Sequence, residues 1–337
     1  MALQFNRDIT FEYAELAPVA AGVRRIIARN PSPYTLHGTG TYVIGTGDVV
    51  VIDPGPDDAA HVDALLTSLK GERVSHVLVT HTHMDHSPAA AVLRARLGVE
   101  VWGCAPHRVF DDSFTGEAAG DTEYRPDREL RDGEVIAGPG WQIEVVHTPG
   151  HTSNHLCYAL EPQGILFSGD HVMGWSTTVV TPPDGDMHAY MASLQRLAAR
   201  GERTYWPTHG PAIDSPQAYV RALHTHRVER EAMVLAALKS GLSSIPELVG
   251  HIYQGLDPRL VRPAQRTTWA HLRKLTAEGR VMAQGTNPND LDAAGGAHSA
   301  SAADSAAATG APSRIEADTR AVMDLSAATL GARYQAV

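Results

Sequence analysis

The sequence is short of several things, and each shortage excludes something. Its 337 residues include two cysteines, Cys104 and Cys157. That is too few for a disulfide framework, so the expected setting is a reducing one, the cytoplasm, with both thiols buried. No run of about 18 apolar residues occurs, which argues against a transmembrane helix. The opening stretch MALQFNRDITFEY carries Arg7, Asp8 and Glu12 and has no apolar centre, so it does not read as a signal peptide. Basic charge is also in deficit. The formal net charge is −10, which argues against a surface coated in positive charge for nucleic acid but leaves room for a local patch. What the chain does have is 43% hydrophobic residues, ample for a packed core, and a length that allows two domains and a tail.

Residues 1–213 read as short apolar runs separated by Gly, Pro, Thr and Asp. TYVIG and DVVVID form candidate paired strands across Thr46–Gly47. HVDALLTSLKG is a candidate helix stopped by Gly71, VSHVLVT a strand, and SPAAAVLRARLG a helix with Ser87 as cap and Pro88 at its first position. VEVWG, WQIEVVH, LCYALE, GILFSG and RTYWPT continue the strands. Sheets covered by helices, class α/β, are therefore predicted for this region.

The character changes near Ser215. Ser215-Pro216 opens a long helical stretch, Ser244-x-x-Glu247 is a capping box before LVGHIY, and Asp257-Pro258 opens a third helix ahead of the strand RVMAQG. Three helices and a strand over 214–285 fit a small winged-helix-type module. From 286 to 337 the Ala/Ser/Gly-rich composition predicts a flexible tail, with a short helix over 313–334.

The densest chemical signal is His81-Thr82-His83-Met84-Asp85-His86, directly after VSHVLVT. In extended chain His81 and His83 point the same way, and the turn that follows lets Asp85 and His86 face a second point. Imidazole and carboxylate suit zinc, and four ligand types in six residues exceed what one open catalytic zinc takes from one segment, which favours two metals. Four further residues repeat the context. Asp53 ends DVVVID, His151 follows WQIEVVH through TPG, Asp170 follows GILFSG, and His209 follows RTYWPT. Five strand ends that each deliver a His or Asp point to one site at a common sheet edge.

The set H-x-H-x-D-H, TPGHT, SGD and THGP, spanning residues 30–213, resembles the metallo-β-lactamase superfamily. The phrases TLHGTGTYVIGTG and GDHVMGWSTTVV, with the C-terminal module, look closest to its β-lactamase-like protein 2 group. The resemblance implies an αββα sandwich followed by a winged helix, and a hydrolase. It places one zinc on His81, His83 and His151 and a second on Asp85, His86 and His209. Asp170 then bridges them, and Asp53 orients a ligand histidine. Iron or manganese would suit the same donors. Di-iron members of the superfamily usually carry Glu where this chain has His83, which favours hydrolysis over dioxygen chemistry. Asp85 and Asp170 are the candidate catalytic carboxylates, Asp85 orienting the nucleophile or passing on its proton. His155, Thr177 and Thr178 are candidate substrate contacts.

Two substrate classes follow from the resemblance, phosphodiesters such as single-stranded RNA and, alternatively, thioesters or other small acyl compounds. Residues 217–285 hold ten Lys and Arg against five Asp and Glu. Arg266, Arg273 and Lys274 on the third helix are the candidate phosphate contacts if the module binds nucleic acid. A third reading, of another class, is a regulator whose winged helix binds nucleic acid while the metal domain senses a ligand. Self-association is a further expectation, and no membrane partner is expected.

Overall fold

The computed structural model describes residues 3–108, 119–284 and 332–337. The chain divides into two compact units, residues 1–229 and 230–337. The boundary predicted at 213/214 therefore moves into a single continuous helix.

The first unit is built on two sheets. One runs β1 (Ala17–Ala20), β2 (Val23–Ile27), β3 (Gly40–Thr46), β4 (Asp48–Ile52), β5 (Arg73–Val79), β6 (Glu100–Gly103) and β7 (Arg128–Glu129), in that spatial order. The connections from β1 to β4 are antiparallel, and those from β4 to β7 are parallel. The second sheet runs β8 (Val135–Gly138), β9 (Trp141–His147), β10 (Leu156–Glu161), β11 (Ile165–Gly169) and β12 (Thr204–Pro207), spatially in the reverse order, with β11 and β12 parallel and the rest antiparallel. β3 and β4 pair across Gly47, whose φ of 76° suits the tight turn that glycine permits. Val49, Val50, Val51 and Ile52 of β4 are all buried, as expected of a central strand covered on both faces. The two sheets share one core, with the Tyr42 ring 4.9 Å from Phe167 and the Tyr158 hydroxyl donating to Val79 O at 2.7 Å.

The helices of this unit begin and end where side chains satisfy free backbone groups. Asp58 caps α1 (Ala59–Ser68) by accepting from Ala60 N, and Asp186 caps α3 (Met187–Ala198) by accepting from Ala189 N. α2 (Ala89–Leu97) ends on Gly98 in the left-handed conformation. Its start corrects the sequence reading. Ser87 caps nothing, because its hydroxyl donates to Asp121 Oδ2 at 2.7 Å.

α4 (Pro216–Lys239) is one helix that begins in the first unit and ends in the second. α5 (Ile245–Ile252) starts on the expected Ser244/Glu247 capping box. Asp257 caps a short 3-10 turn, Pro258–Leu260, that leads into α6 (Val261–Ala277). β13 (Val281–Gln284) then pairs antiparallel with β14 (Arg333–Ala336). Arg333 and Tyr334, at the end of the helix expected over 313–334, lie in this strand, so the tail expected to be flexible is paired over 333–336. Tyr334 is 1% exposed and packs in a core with Leu248, Trp269, Leu272 and Leu275. The rest of the predicted tail, 286–331, lies outside the described residues.

The three candidate phosphate contacts of α6 have surroundings of their own. Lys274 Nζ lies 2.9 Å from Glu231 and 2.7 Å from Glu278. Arg273 is buried against the Trp269 ring, and Arg266 is half-buried and also engaged. Arg273 and Lys274 are thus held by partners within their own unit. Among the described residues no helix is long and apolar enough to cross a membrane.

Candidate metal centre

β4 and β5 run parallel, β11 and β12 run parallel, and β9 is antiparallel to β10, which is itself antiparallel to β11. The C-terminal ends within each sheet therefore lie on a common edge. Asp53 leaves β4, His81–His86 follow β5, His151 follows β9, Asp170 follows β11, and His209 follows β12. The predicted ligands meet in three overlapping groups whose donor atoms lie within 4.8 Å of one another: His81, His83 and His151; His81, His86 and Asp170; and Asp85, His86 and His209. Only His83 is more than about a tenth exposed, since the other six range from 0% to 9%.

The donor spacing is compatible with a bound cation. His83 Nδ1 is 3.0 Å from His81 Nε2 and 3.1 Å from His151 Nε2. Nitrogens around a tetrahedral zinc with bonds of about 2.0–2.1 Å stand roughly 3.3 Å apart. His209 Nε2 lies 3.1 Å from Asp85 Oδ2 and 3.4 Å from Asp170 Oδ1, while Asp170 Oδ2 lies 3.6 Å from His86 Nε2 and 3.9 Å from His151 Nε2. Asp170 thus faces both the three-histidine group and the Asp85 group. His86 Nε2 and Asp170 Oδ1 are buried and make no hydrogen bond, and groups left so usually have a missing partner. The donor set, imidazole and carboxylate without thiolate, is that of a divalent metal site.

The opposite nitrogens are held from behind. His86 Nδ1 meets Asp53 Oδ2 at 2.9 Å, His151 Nδ1 meets Val179 O at 2.8 Å, and His209 Nδ1 meets Gly38 O at 3.1 Å. Each of these contacts directs Nε2 into the site. Asp53 sits at φ 47°, a left-handed conformation that aspartate tolerates better than most residues. Its carboxylate also accepts from Thr80 N at 2.8 Å, Thr80 Oγ1 at 2.7 Å and Thr208 Oγ1 at 3.1 Å. With its proton given to Asp53, the Thr80 hydroxyl accepts from His81 Nδ1 at 3.0 Å, and this too turns His81 Nε2 inward.

Electrostatics divide the set. Burial, reinforced by the neighbouring imidazoles, drives His81 well below its ordinary value and His83 down to about 3, and lowers His151 against the pull of Asp170. Neutral imidazole is the form that binds a metal. Burial opposes the charged form of His209 and His86 as well. There the carboxylates win: Asp170 and Asp85 raise His209 to about 10, and Asp85, Asp170 and Asp53 hold His86 well above its ordinary value. A metal bound at that end would displace protons from them.

The three residues expected to contact substrate differ in their surroundings. His155 is fully buried, with Nδ1 2.9 Å from the Thr148 hydroxyl and Nε2 accepting from Asp170 N at 3.2 Å. It supports the Asp170 turn from inside. Thr178 is buried and donates to the carbonyls of Asp170 at 2.7 Å and His171 at 3.1 Å. Thr177 is half-buried in the irregular segment after Asp170. Sequence reasoning passed over Thr39, whose hydroxyl donates to Asp85 Oδ2 at 3.1 Å and whose backbone N–H is held by Asn30 Oδ1 at 2.9 Å.

Fold, strand-end ligands and motif order together define a class, and comparison with known proteins gives it a name. Residues 34–209 match the metallo-beta-lactamase superfamily and residues 244–288 match the beta-lactamase associated winged helix domain; the chain belongs to the metallo-beta-lactamase superfamily. It is 30% identical over 289 residues to the lactamase-like protein adaB of Aspergillus niger, covering 80% of this chain and 85% of that one. It is 33% identical over 235 residues to an atrochrysone carboxyl ACP thioesterase of Aspergillus fumigatus, covering 67% and 68%. Among solved structures, a metallo-beta-lactamase family protein from Thermus thermophilus superposes with a TM-score of 0.63 at 25% identity, over 79% of this chain and 97% of that one. A beta-lactamase domain protein from Burkholderia ambifaria shares the fold, with a TM-score of 0.69 at 23% identity over 83% and 93%. The chain is a metal-dependent hydrolase of this superfamily with a C-terminal winged helix.

Proposed function

We propose that the chain hydrolyses thioesters at a dinuclear centre, with zinc, or iron or manganese in its place, held by His81, His83 and His151 at one position and by Asp85, His86 and His209 at the other, Asp170 spanning the two. The observation that carries the dinuclear reading is the position of Asp170, whose carboxylate oxygens face His86, His151 and His209 at 3.4–3.9 Å. Relatives named for an acyl-carrier thioesterase activity support the substrate class. The phosphodiester reading loses part of its basis, because Arg273 and Lys274 are engaged inside their own unit.

Divalent ions in this set supply Lewis acidity and water of lowered pKa. The chain's own residues do the rest. Six nearly dry ligands strengthen every charge interaction within the site, and the half-buried His83, beside the exposed Met84, marks the side from which an acyl group approaches. Asp85 Oδ2 accepts from Thr39 Oγ1 and faces His209 Nε2, so its carboxylate is fixed and able to hold a proton from attacking water before passing it to the departing thiolate. Asp53, through Thr80 and Thr208, keeps His81 and His86 oriented throughout.

The test is a hydrolysis panel on metal-loaded protein, comparing an acyl N-acetylcysteamine thioester, an acyl-coenzyme A, bis-p-nitrophenyl phosphate and a short single-stranded RNA. Thioester turnover that a chelator abolishes and added zinc restores is expected. Phosphodiester turnover exceeding that of every thioester would overturn the substrate assignment.

A further inference from the structure

Arg227, on the part of α4 that belongs to the first unit, is 2% exposed. A guanidinium cannot shed its charge at any ordinary pH, and burying it without a counter-ion is costly. No carboxylate pairs with it among the described residues. Instead its Nη2 donates to Thr178 O, its plane lies 5.2 Å from the Tyr190 ring centroid, and its Nε makes no hydrogen bond. The carbonyl it holds sits at a junction. The Thr178 hydroxyl donates to the carbonyls of Asp170 and His171, and the next carbonyl in the chain, Val179 O, accepts from His151 Nδ1. Tyr190 closes the same ring of contacts, donating its hydroxyl to His171 O at 3.1 Å.

We infer that Arg227 is a positioning residue for the metal centre. It pins the segment 170–179, which carries the carboxylate between the two metal positions at one end and the carbonyl that aims His151 at the other. The inference rests on the dinuclear reading above. Segment 170–179 has no regular secondary structure and so no ladder of its own to fix it. A charged donor to Thr178 O supplies a hydrogen bond about twice as strong as a neutral one. Packing of the guanidinium over Tyr190 keeps that donor in one place. Loss of Arg227 therefore leaves Asp170 attached to β11 but frees the Thr178–Val179 carbonyls, so His151 loses its fixed direction.

The experiment measures metal binding rather than turnover. Apo-protein is titrated with zinc against a chromophoric chelator, and with cobalt(II) while the visible d–d bands are followed, for wild type, Arg227→Met and Arg227→Lys. The unfolding temperature of each apo-protein is recorded alongside. Expected for Arg227→Met is a loss of affinity of about 10- to 100-fold, the range for residues that orient ligands. The loss should fall at one of two equivalents, with altered cobalt band intensities. Arg227→Lys, which keeps a charged donor, should recover most of it. If Arg227→Met does not fold, Arg227→Gln takes its place, with at least a several-fold loss expected. Wild-type affinities and cobalt spectra in whichever of these two variants folds would overturn the assignment, even with a lowered unfolding temperature, because they would leave Arg227 a purely structural role. If wild type itself takes up fewer than two equivalents, the dinuclear reading falls. If wild type and variants all bind two equivalents alike, only the Arg227 assignment falls.

Discussion

Both units bury clusters of ionisable side chains, and the two clusters differ in what faces their acids. In the second unit Glu231 meets Lys274 at 2.9 Å and His271 at 3.4 Å, and Lys274 also meets Glu278 at 2.7 Å. Each acid there meets the Lys274 ammonium, a permanent cation of the same unit. In the first unit seven His and Asp side chains converge and leave His86 Nε2 and Asp170 Oδ1 without a partner. Buried polar groups are normally satisfied, so a cluster that remains unsatisfied implies something outside the chain. Among the described residues, a lysine set against both acids in one cluster, and imidazoles as the only bases against Asp85 and Asp170 in the other, separate the two.

The largest effect should come from removing the residue on which the first unit's cluster turns. Asp170→Ala is expected to lower hydrolysis by at least about 100-fold, the upper range for residues one step further from a metal. Metal content by elemental analysis should drop below the two equivalents expected of wild type, and the chain should stay folded by circular dichroism, because the sandwich core does not use that carboxylate. A full metal complement in this variant would break the contrast between the clusters. Next in size is Tyr334→Ala. Truncating an aromatic residue in a close-packed core costs about 3–5 kcal/mol, and Tyr334 joins Trp269, Leu272 and Leu248 in the second unit's core. Chemical denaturation should show that loss in the second unit while metal content stays unchanged. A parallel fall in metal content would show that the two units do not stand apart.

The convergence of the seven His and Asp side chains was legible because its signal is local. Four ligand-type residues stand in six positions after one strand, and each remaining ligand follows an apolar run within a few residues. The Ser244/Glu247 capping box was legible for the same reason. What escaped depends on approaches across the chain that no window contains. Thr39 reaches Asp85 across 46 residues, and Arg227 reaches Thr178 across 49. Ser87 had every local mark of a cap, but Asp121, 34 residues on, takes its hydroxyl. The strand RYQA is too short for its alternation to register, and its partner β13 precedes the whole Ala/Ser/Gly-rich stretch. The basic run on α6 looked like an exposed face. Glu231, 43 residues before Lys274, turns one of its charges inward.

The smallest of these effects tests the second unit's cluster itself. Burial raises the cost of ionising Glu231, but His271 and Lys274 outweigh it and hold the carboxyl below its ordinary value. Glu231→Gln keeps the shape and removes the charge, so it forfeits charge-assisted hydrogen bonds to a nearly buried pair, a loss of about 2 kcal/mol in the second unit at neutral pH. Because the folded pKa is the lower one, this stabilisation is complete above the unfolded carboxylate value of about 4.3 and is lost as pH falls through the depressed folded value. At the alkaline end Lys274 is raised, Glu278 and Glu231 outweighing its burial, so its share persists until pH climbs through that raised value. Denaturation of wild type and Glu231→Gln across pH 3–9 should therefore give a stability gap that is level from neutrality upward and closes below about pH 4. A gap that stayed constant down to pH 3 would mean that the carboxylate's charge contributes nothing. Metal content at neutral pH should be the same in both proteins. A change there would show that the second unit's cluster nonetheless supports the first unit's.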